Sequence, residues 1–74
     1  MQINIGEKIV FKTVAFDERI LIVPGEIVYY DGLSGFYTIK DQNGILHYRA
    51  INKIWYDLEI AQKTIDSGIF TFTK

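Results

Sequence analysis

The segment that most constrains the fold is the run from Gly25 to Arg49. Within it, three short stretches rich in β-branched and aromatic residues are separated by two turn signals, Asp31–Gly35 and Asp41–Gly44. Such spacing is typical of antiparallel strands joined by tight turns. The run therefore predicts a three-stranded meander with strands at Glu26–Tyr30, Phe36–Lys40 and Ile45–Arg49.

Alternation along the last two strands predicts which of their side chains are buried. A two-residue loop and a four-residue loop through Asn43-Gly44 both give the same facing, so the prediction is the same for either. On the core side we expect Tyr37, Ile39, Leu46 and Tyr48. On the solvent side we expect Thr38, Lys40, His47 and Arg49.

Two further apolar stretches precede the meander. The pattern of Lys8–Thr13 predicts a half-buried strand that directs Ile9 and Phe11 to the core. Ile20–Val23 is either a short strand or the packed base of a long loop. We place its boundary at Pro24, because proline has no amide hydrogen to contribute to a central strand.

After Ala50 the pattern changes. Ile51–Ile54 predicts one helical turn, and Trp55 begins a short closing strand. Asp57–Ile65 is either a short helix capped by Asp57 or a strand that pairs with Ile69–Thr73. That last run is in turn either paired within the fold or an edge strand open to another chain.

The bulk properties indicate one small domain of 74 residues whose core must stabilise it without disulfides, because the chain has no cysteine. Hydrophobic residues make up 49% of the chain, which is a rich supply for such a core. The net charge of −1 weighs against strong non-specific binding to nucleic acid. The sequence has no signal-peptide pattern and no apolar run of membrane-spanning length, so we expect a cytoplasmic protein without a membrane partner.

Three segments carry a resemblance to a known class of domain, namely residues 6–11, 24–28 and 35–44. Their spacing of glycine-led strands and an Asn-Gly turn resembles a small SH3-like barrel of the Tudor or KOW type, over residues 6–56. The resemblance implies an all-β fold of five to six antiparallel strands with a short helical turn before the last strand. The isoleucine-rich, cysteine-free composition also resembles that of accessory proteins of phages or prophages of low-GC bacteria.

The chain shows no catalytic or metal-binding pattern. His47 is the only histidine, so a zinc site would need three carboxylates in place of the usual histidine and cysteine ligands. Ser34 and Ser67 both lie beside glycine in predicted turns, which is a common place for serine in any protein. We therefore expect a protein that is not an enzyme and has no cofactor and no metal.

Two binding hypotheses remain. In the first, exposed aromatic residues form a platform for a protein partner, as SH3-like domains use, and the candidates are Tyr30, Phe36 and Trp55. Alternation exposes one ring of the Tyr29-Tyr30 pair and leaves open which of the two it is. In the second, a nucleic acid binds the solvent face of the hairpin through Lys40, His47, Arg49 and Lys53. The first is our leading prediction, a non-enzymatic binding module, and the second is its alternative.

Overall fold

Residues 3–67 are described by the structure, which is a computed structural model. Five strands form one antiparallel sheet: β1 (Lys8–Val14), β2 (Ile20–Asp31), β3 (Phe36–Asp41), β4 (Leu46–Ala50) and β5 (Ile54–Trp55). Their order across the sheet is β4-β3-β2-β1-β5. The predicted all-β class is confirmed, although the sheet is not closed into a barrel by pairing between β4 and β5 within these residues.

The core forms on one side of this strongly curved sheet. The side chains of Phe11, Ile27 and Ile39 are fully buried there, and so is that of Ile54 in β5. Ile9 is also buried, which confirms the predicted facing of β1. The ring of Phe11 in β1 lies 4.8 Å from the ring of His47 in β4, although two strands separate β1 from β4 in the sheet order. The sheet therefore coils so that its distant strands meet over the core.

Gly25 is the point at which this coiling requires a residue without a side chain. A Cβ atom there would lie 2.6 Å from Ile39 Cγ2, 3.0 Å from Phe11 Cε1 and 3.1 Å from the Lys40 carbonyl oxygen. The side chains of Ile39 and Phe11 thus approach Gly25 closely and fill the space that a side chain at this position would need. In the register, Gly25 pairs with Ile9 on one side and Asp41 on the other.

The strand β2 continues through Pro24, so the boundary that we predicted there is wrong. The Ile27 amide donates to the Glu7 carbonyl at 3.0 Å, so the odd-numbered residues of β2 are the ones that bond β1. Pro24 directs its nitrogen to the opposite side, where β3 has already ended at Asp41. The missing amide hydrogen therefore removes no bond from the sheet.

The facing that we predicted for β4 is also wrong, because the loop between β3 and β4 has three residues. Asp41 pairs with Ile45, and Gly44 has a φ of +81°, the left-handed conformation that three-residue hairpin loops require. An odd loop length shifts the pairing by one residue and reverses every side chain of β4. Leu46 and Tyr48 are consequently exposed.

The same reversal moves His47 and Arg49 to the core side of the sheet. They pair across the hairpin with the buried residues Ile39 and Tyr37, so they lie on the core side rather than on the predicted solvent side. Both are partly buried. Of the four residues predicted to share the solvent face, Thr38 and Lys40 lie on the outer face, and His47 and Arg49 do not.

A β-bulge in β2 decides which of the two adjacent tyrosines is exposed. Ile27 pairs with Ile39, but Tyr29 pairs with Thr38, so Val28 is the extra residue. After the bulge Tyr30 lies on the core side and Tyr29 on the outer face. Simple alternation from Ile27 would have placed these two side chains the other way round.

The C-terminal part contains the predicted helical turn (Ile51–Lys53) before β5, and a helix α1 (Leu58–Ser67) follows. Asp57 Oδ1 accepts a hydrogen bond from the Ile60 amide at 2.8 Å, so the helical alternative is confirmed with its cap. The predicted strand at 69–73 lies outside the described residues. Among residues 3–67 no helix has the length and apolarity needed to cross a membrane.

We expect Gly25→Ala to lower the free energy of unfolding by about 1–3 kcal/mol, since the new methyl group overlaps Ile39 and backbone atoms of β3. Gly32→Ala is the matched control, because its Cβ would meet only Tyr30 Cε2 at 4.0 Å. Urea unfolding of both variants measures the difference. Equal stability of the two variants would contradict the close approach described here.

Candidate functional site

Three exposed rings lie on the outer face of the sheet formed by β2, β3 and β4. Tyr29 pairs with Thr38, and Thr38 pairs with Tyr48, so the two tyrosines flank one threonine in a line across the sheet. Phe36 lies two residues before Thr38 and therefore on the same face. These rings, Tyr29, Phe36 and Tyr48, are 58%, 47% and 58% exposed, and we call them the aromatic face.

The aromatic face is a shallow depression rather than a flat patch. A cavity of about 380 Å³ is lined by its three rings together with Thr38 and two polar residues of the β2–β3 turn, Asp31 and Ser34. Thr38 is only 9% exposed, because cross-strand neighbours on one face lie in side-chain contact and both its neighbours are tyrosines. The floor of the depression is therefore rigid β-sheet.

A negative charge marks one end of the depression. Asp31 Oδ1 accepts a hydrogen bond from the Leu33 amide at 3.0 Å, and Oδ2 accepts one from the Ser34 hydroxyl at 3.0 Å. These bonds, the amide first, hold the pKa of Asp31 below its ordinary value. Asp31 is thus ionised at neutral pH and orders the turn that ends the aromatic face.

A second cavity, of about 450 Å³, lies between the end of β1 and the edge of β4. The part of the chain that the structure describes contributes three basic residues and no acidic one to its lining, and we call it the basic cavity; these residues are Lys12, Thr13, Val14, Tyr48, Arg49 and Lys53. Tyr48 also lines the depression of the aromatic face. The two sites therefore share Tyr48 as a common border.

Arg49 is held in the basic cavity by three hydrogen bonds to uncharged acceptors. Its Nε donates to the Lys12 carbonyl at 2.7 Å, and its Nη2 donates to Thr13 Oγ1 at 3.2 Å. Its Nη1 donates to the Tyr48 carbonyl at 2.8 Å. The guanidinium also lies 5.6 Å from the centre of the Phe11 ring, within the range of a cation–π contact. Arg49 thus joins the edges of β4 and β1, and no carboxylate within residues 3–67 forms a salt bridge with it.

His47 is engaged by the carboxylate at the start of its own hairpin. Its Nε2 lies 2.8 Å from Asp41 Oδ2, and an ionised carboxylate only accepts, so Nε2 carries the donated proton. Asp41 Oδ1 accepts from the amides of Asn43 and Ile45 at 2.8 and 3.0 Å. The bond from His47, followed by those amides, lowers the pKa of Asp41. His47 therefore serves the hairpin turn rather than an open surface.

The residues proposed for the aromatic platform are placed differently from one another. Phe36 is on the aromatic face, but Tyr30 is half-buried and stacks on Tyr37 with ring centres 4.5 Å apart. Trp55 is fully buried, so its ring forms part of the core and not of a surface. The exposed rings that replace them are Tyr29 and Tyr48.

The basic residues predicted to bind nucleic acid are also not all at one place. Arg49 and Lys53 line the basic cavity, whereas Lys40 lines a separate cavity of about 310 Å³ beside Pro24 and Glu26. His47 is paired with Asp41 as described above. The structure therefore brings together two of the four predicted basic residues and adds Lys12.

Sequence reasoning assigned Tyr48 to the core side and left open which of Tyr29 and Tyr30 is exposed, for identifiable reasons. The exposure of Tyr48 follows from the loop length, and Asn-Gly is compatible with loops of two, three or four residues. The exposure of Tyr29 follows from the bulge at Val28, where no glycine or proline marks an irregularity. Neither the loop length nor the bulge has a sequence signal strong enough to exclude regular pairing.

The described residues hold no cluster of three or more histidine, cysteine or acidic side chains that would bind a metal ion. The hydroxyl of Ser34 donates to Asp31, and that of Ser67 donates to the Thr64 carbonyl, so neither serine is paired with His47. The geometry of residues 3–67 thus offers two candidate surfaces for binding, one aromatic and one basic.

Comparison with known proteins identifies no relative: no family model matches the chain, and neither a curated protein nor a solved structure has significant similarity to it. The functional interpretation therefore depends on the geometry of the site.

His47→Phe should raise the pKa of Asp41, because phenylalanine retains the stack on Phe11 but donates no hydrogen bond. In the wild type the folded pKa lies below the unfolded value of about 3.9. The pair therefore contributes stability above that value, which is lost as the pH falls through the folded pKa. Carbon-detected NMR titration measures the pKa of Asp41 and that of Asp31 in the same experiment. Asp31 is the internal control, because its hydrogen-bond partners lie within its own turn. An unchanged Asp41 pKa would contradict the assignment.

Proposed function

We propose that this protein is a non-enzymatic binding module that engages a protein partner through the aromatic face. The observation that supports the proposal is the alignment of Tyr29, Phe36 and Tyr48, each about half exposed, around one depression. Exposed apolar patches with a polar rim are common at sites of protein association, and tyrosine is enriched among the residues that dominate binding energy.

The position of the rings also favours a binding role over a structural one. Tyr29, Phe36 and Tyr48 project from paired strands, so little conformational entropy is lost when a partner covers them. Leu46 continues the apolar surface along β4, and Asp31 provides a charged boundary at the other end. A partner segment with apolar side chains and a basic group near Asp31 complements this arrangement.

Kinship with SH3-like barrels of the Tudor or KOW type is part of the same proposal. The strand order β4-β3-β2-β1-β5 and the helical turn before β5 support it. Origin in a phage or prophage and a cytoplasmic location remain predictions from composition. Fold likeness alone does not identify a partner, so the proposal depends on the aromatic face.

Tyr29→Ala and Tyr48→Ala should each weaken partner binding about thirtyfold or more, as expected for aromatic residues at the centre of an interface. A photo-crosslinking amino acid in place of Phe36 first captures the partner in the host cell, and biolayer interferometry then measures the affinity of the purified partner. The matched control is Phe16→Ala, since Phe16 is a fully exposed ring in the β1–β2 loop. Affinities equal to that control would refute the aromatic face as the binding site.

A second candidate function is binding of single-stranded nucleic acid, which the continuity of the basic cavity with Tyr48 favours. Fluorescence anisotropy with labelled DNA and RNA should show binding that weakens steeply as salt rises. Lys53→Gln should weaken it, while Lys40→Gln, with the same change in charge, should not, because Lys40 lies in another cavity. Absent binding at low salt, or equal effects of the two variants, would remove this candidate.

A further inference from the structure

The basic cavity has the composition of a site for an anion. Among the residues of the described range 3–67 that line it, Lys12, Arg49 and Lys53 are basic, Thr13 carries a hydroxyl, and none is acidic. Among residues 3–67 no salt bridge to a carboxylate involves Arg49 or Lys53. A concave surface lined by charge of one sign concentrates the field and attracts counter-ions of the opposite sign.

Arg49 supplies the directional part of the site. A guanidinium has five N–H donors, and the three bonds to Lys12, Thr13 and Tyr48 use one on each nitrogen. One N–H on Nη1 and one on Nη2 are not used by these bonds. N–H groups on the two terminal nitrogens are the donors with which a guanidinium can pair two oxygens of a tetrahedral or planar oxyanion. The side chain is thus oriented before any ligand arrives.

The acceptors that hold Arg49 explain why its charge is available. Two are backbone carbonyls and one is a hydroxyl, so the guanidinium is fixed in place without loss of its positive charge. Had the same bridge between β1 and β4 been made to a carboxylate, the cavity would have been close to neutral at this point. Lys53, exposed on the turn before β5, adds a flexible charge at the rim.

We propose that the basic cavity binds a phosphate group, held by the terminal nitrogens of Arg49 and by Lys53. Phosphate is preferred to a carboxylate because the charges of Arg49 and Lys53, beside the hydroxyl of Thr13, exceed what a single negative charge requires. The same chemistry is offered by a free phosphate and by the phosphodiester of a single strand. In the second case the ring of Tyr48 at the cavity edge stacks on the adjacent base. The proposal does not depend on the aromatic face binding a protein.

The site is tested by NMR titration of the isotope-labelled full chain with inorganic phosphate. A titration with sodium chloride at equal ionic strength is the control. We expect saturating shifts at the Arg49 Nε–H and the Thr13 amide in phosphate only. Lys53→Gln should weaken binding about tenfold, while Lys63→Gln, an exposed lysine on α1 with the same charge change, should not. Arg49→Lys keeps the charge but loses the paired donors and should also weaken binding, and its unfolding curve shows whether it is folded.

A second titration, with a short oligothymidylate, distinguishes a free phosphate group from the phosphodiester of a single strand as the ligand. Tighter binding of the oligomer than of phosphate, with a larger loss of affinity for the oligomer than for phosphate in Tyr48→Leu, identifies a phosphodiester strand. Equal binding of the two ligands, changed by Tyr48→Leu to the same extent, identifies a free phosphate group. Shifts that are equal in chloride and phosphate, or that Lys63→Gln and Lys53→Gln change alike, would overturn the proposal.

Discussion

The ring of Phe11 is the contact on which the arrangement of the whole sheet depends. It is fully buried, it would be only 3.0 Å from a Cβ on Gly25, and it lies against His47 and Arg49 of the far edge strand. A flat sheet in this strand order would separate β1 from β4 by the width of two strands, about 10 Å beyond contact. Burial of this one ring therefore requires the sheet to coil, and the coil brings the edges of β1 and β4 to either side of a gap.

The guanidinium of Arg49 occupies that gap. Where a closed barrel would have a ladder of backbone hydrogen bonds, one side chain donates to a carbonyl on each strand and to a hydroxyl. A side-chain bridge of this kind satisfies edge groups that would otherwise be open to pairing with another chain. It also introduces a positive charge that the backbone ladder would not have. The same residue thus closes the fold and forms the basic cavity.

The class of the fold follows from the sequence to a large extent, because local signals are strong: the turns at Asp31–Gly35 and Asp41–Gly44 and the cap at Asp57 all have mechanisms within a few residues. The surfaces do not follow in the same way. Facing depends on the parity of pairing, so one residue added at Val28 or in the loop 42–44 transfers tyrosines between core and solvent at almost no local cost. Phe36, Arg49 and Lys53 were identified as candidates, whereas Tyr48 was assigned to the core side and alternation could not decide between Tyr29 and Tyr30.

Net charge is a poor guide to the electrostatics of this molecule, since its acidic groups are engaged locally. Within residues 3–67, Asp41 is bonded to His47, Glu26 to Lys8, and Asp31 to its own turn. At physiological ionic strength charges more than about 8 Å apart are largely screened from one another. The field in the basic cavity is therefore set by Arg49 and Lys53 and not by the total of −1. Because Tyr48 borders both surfaces, a ligand large enough to cover its ring would contact the aromatic face and the positive charge together.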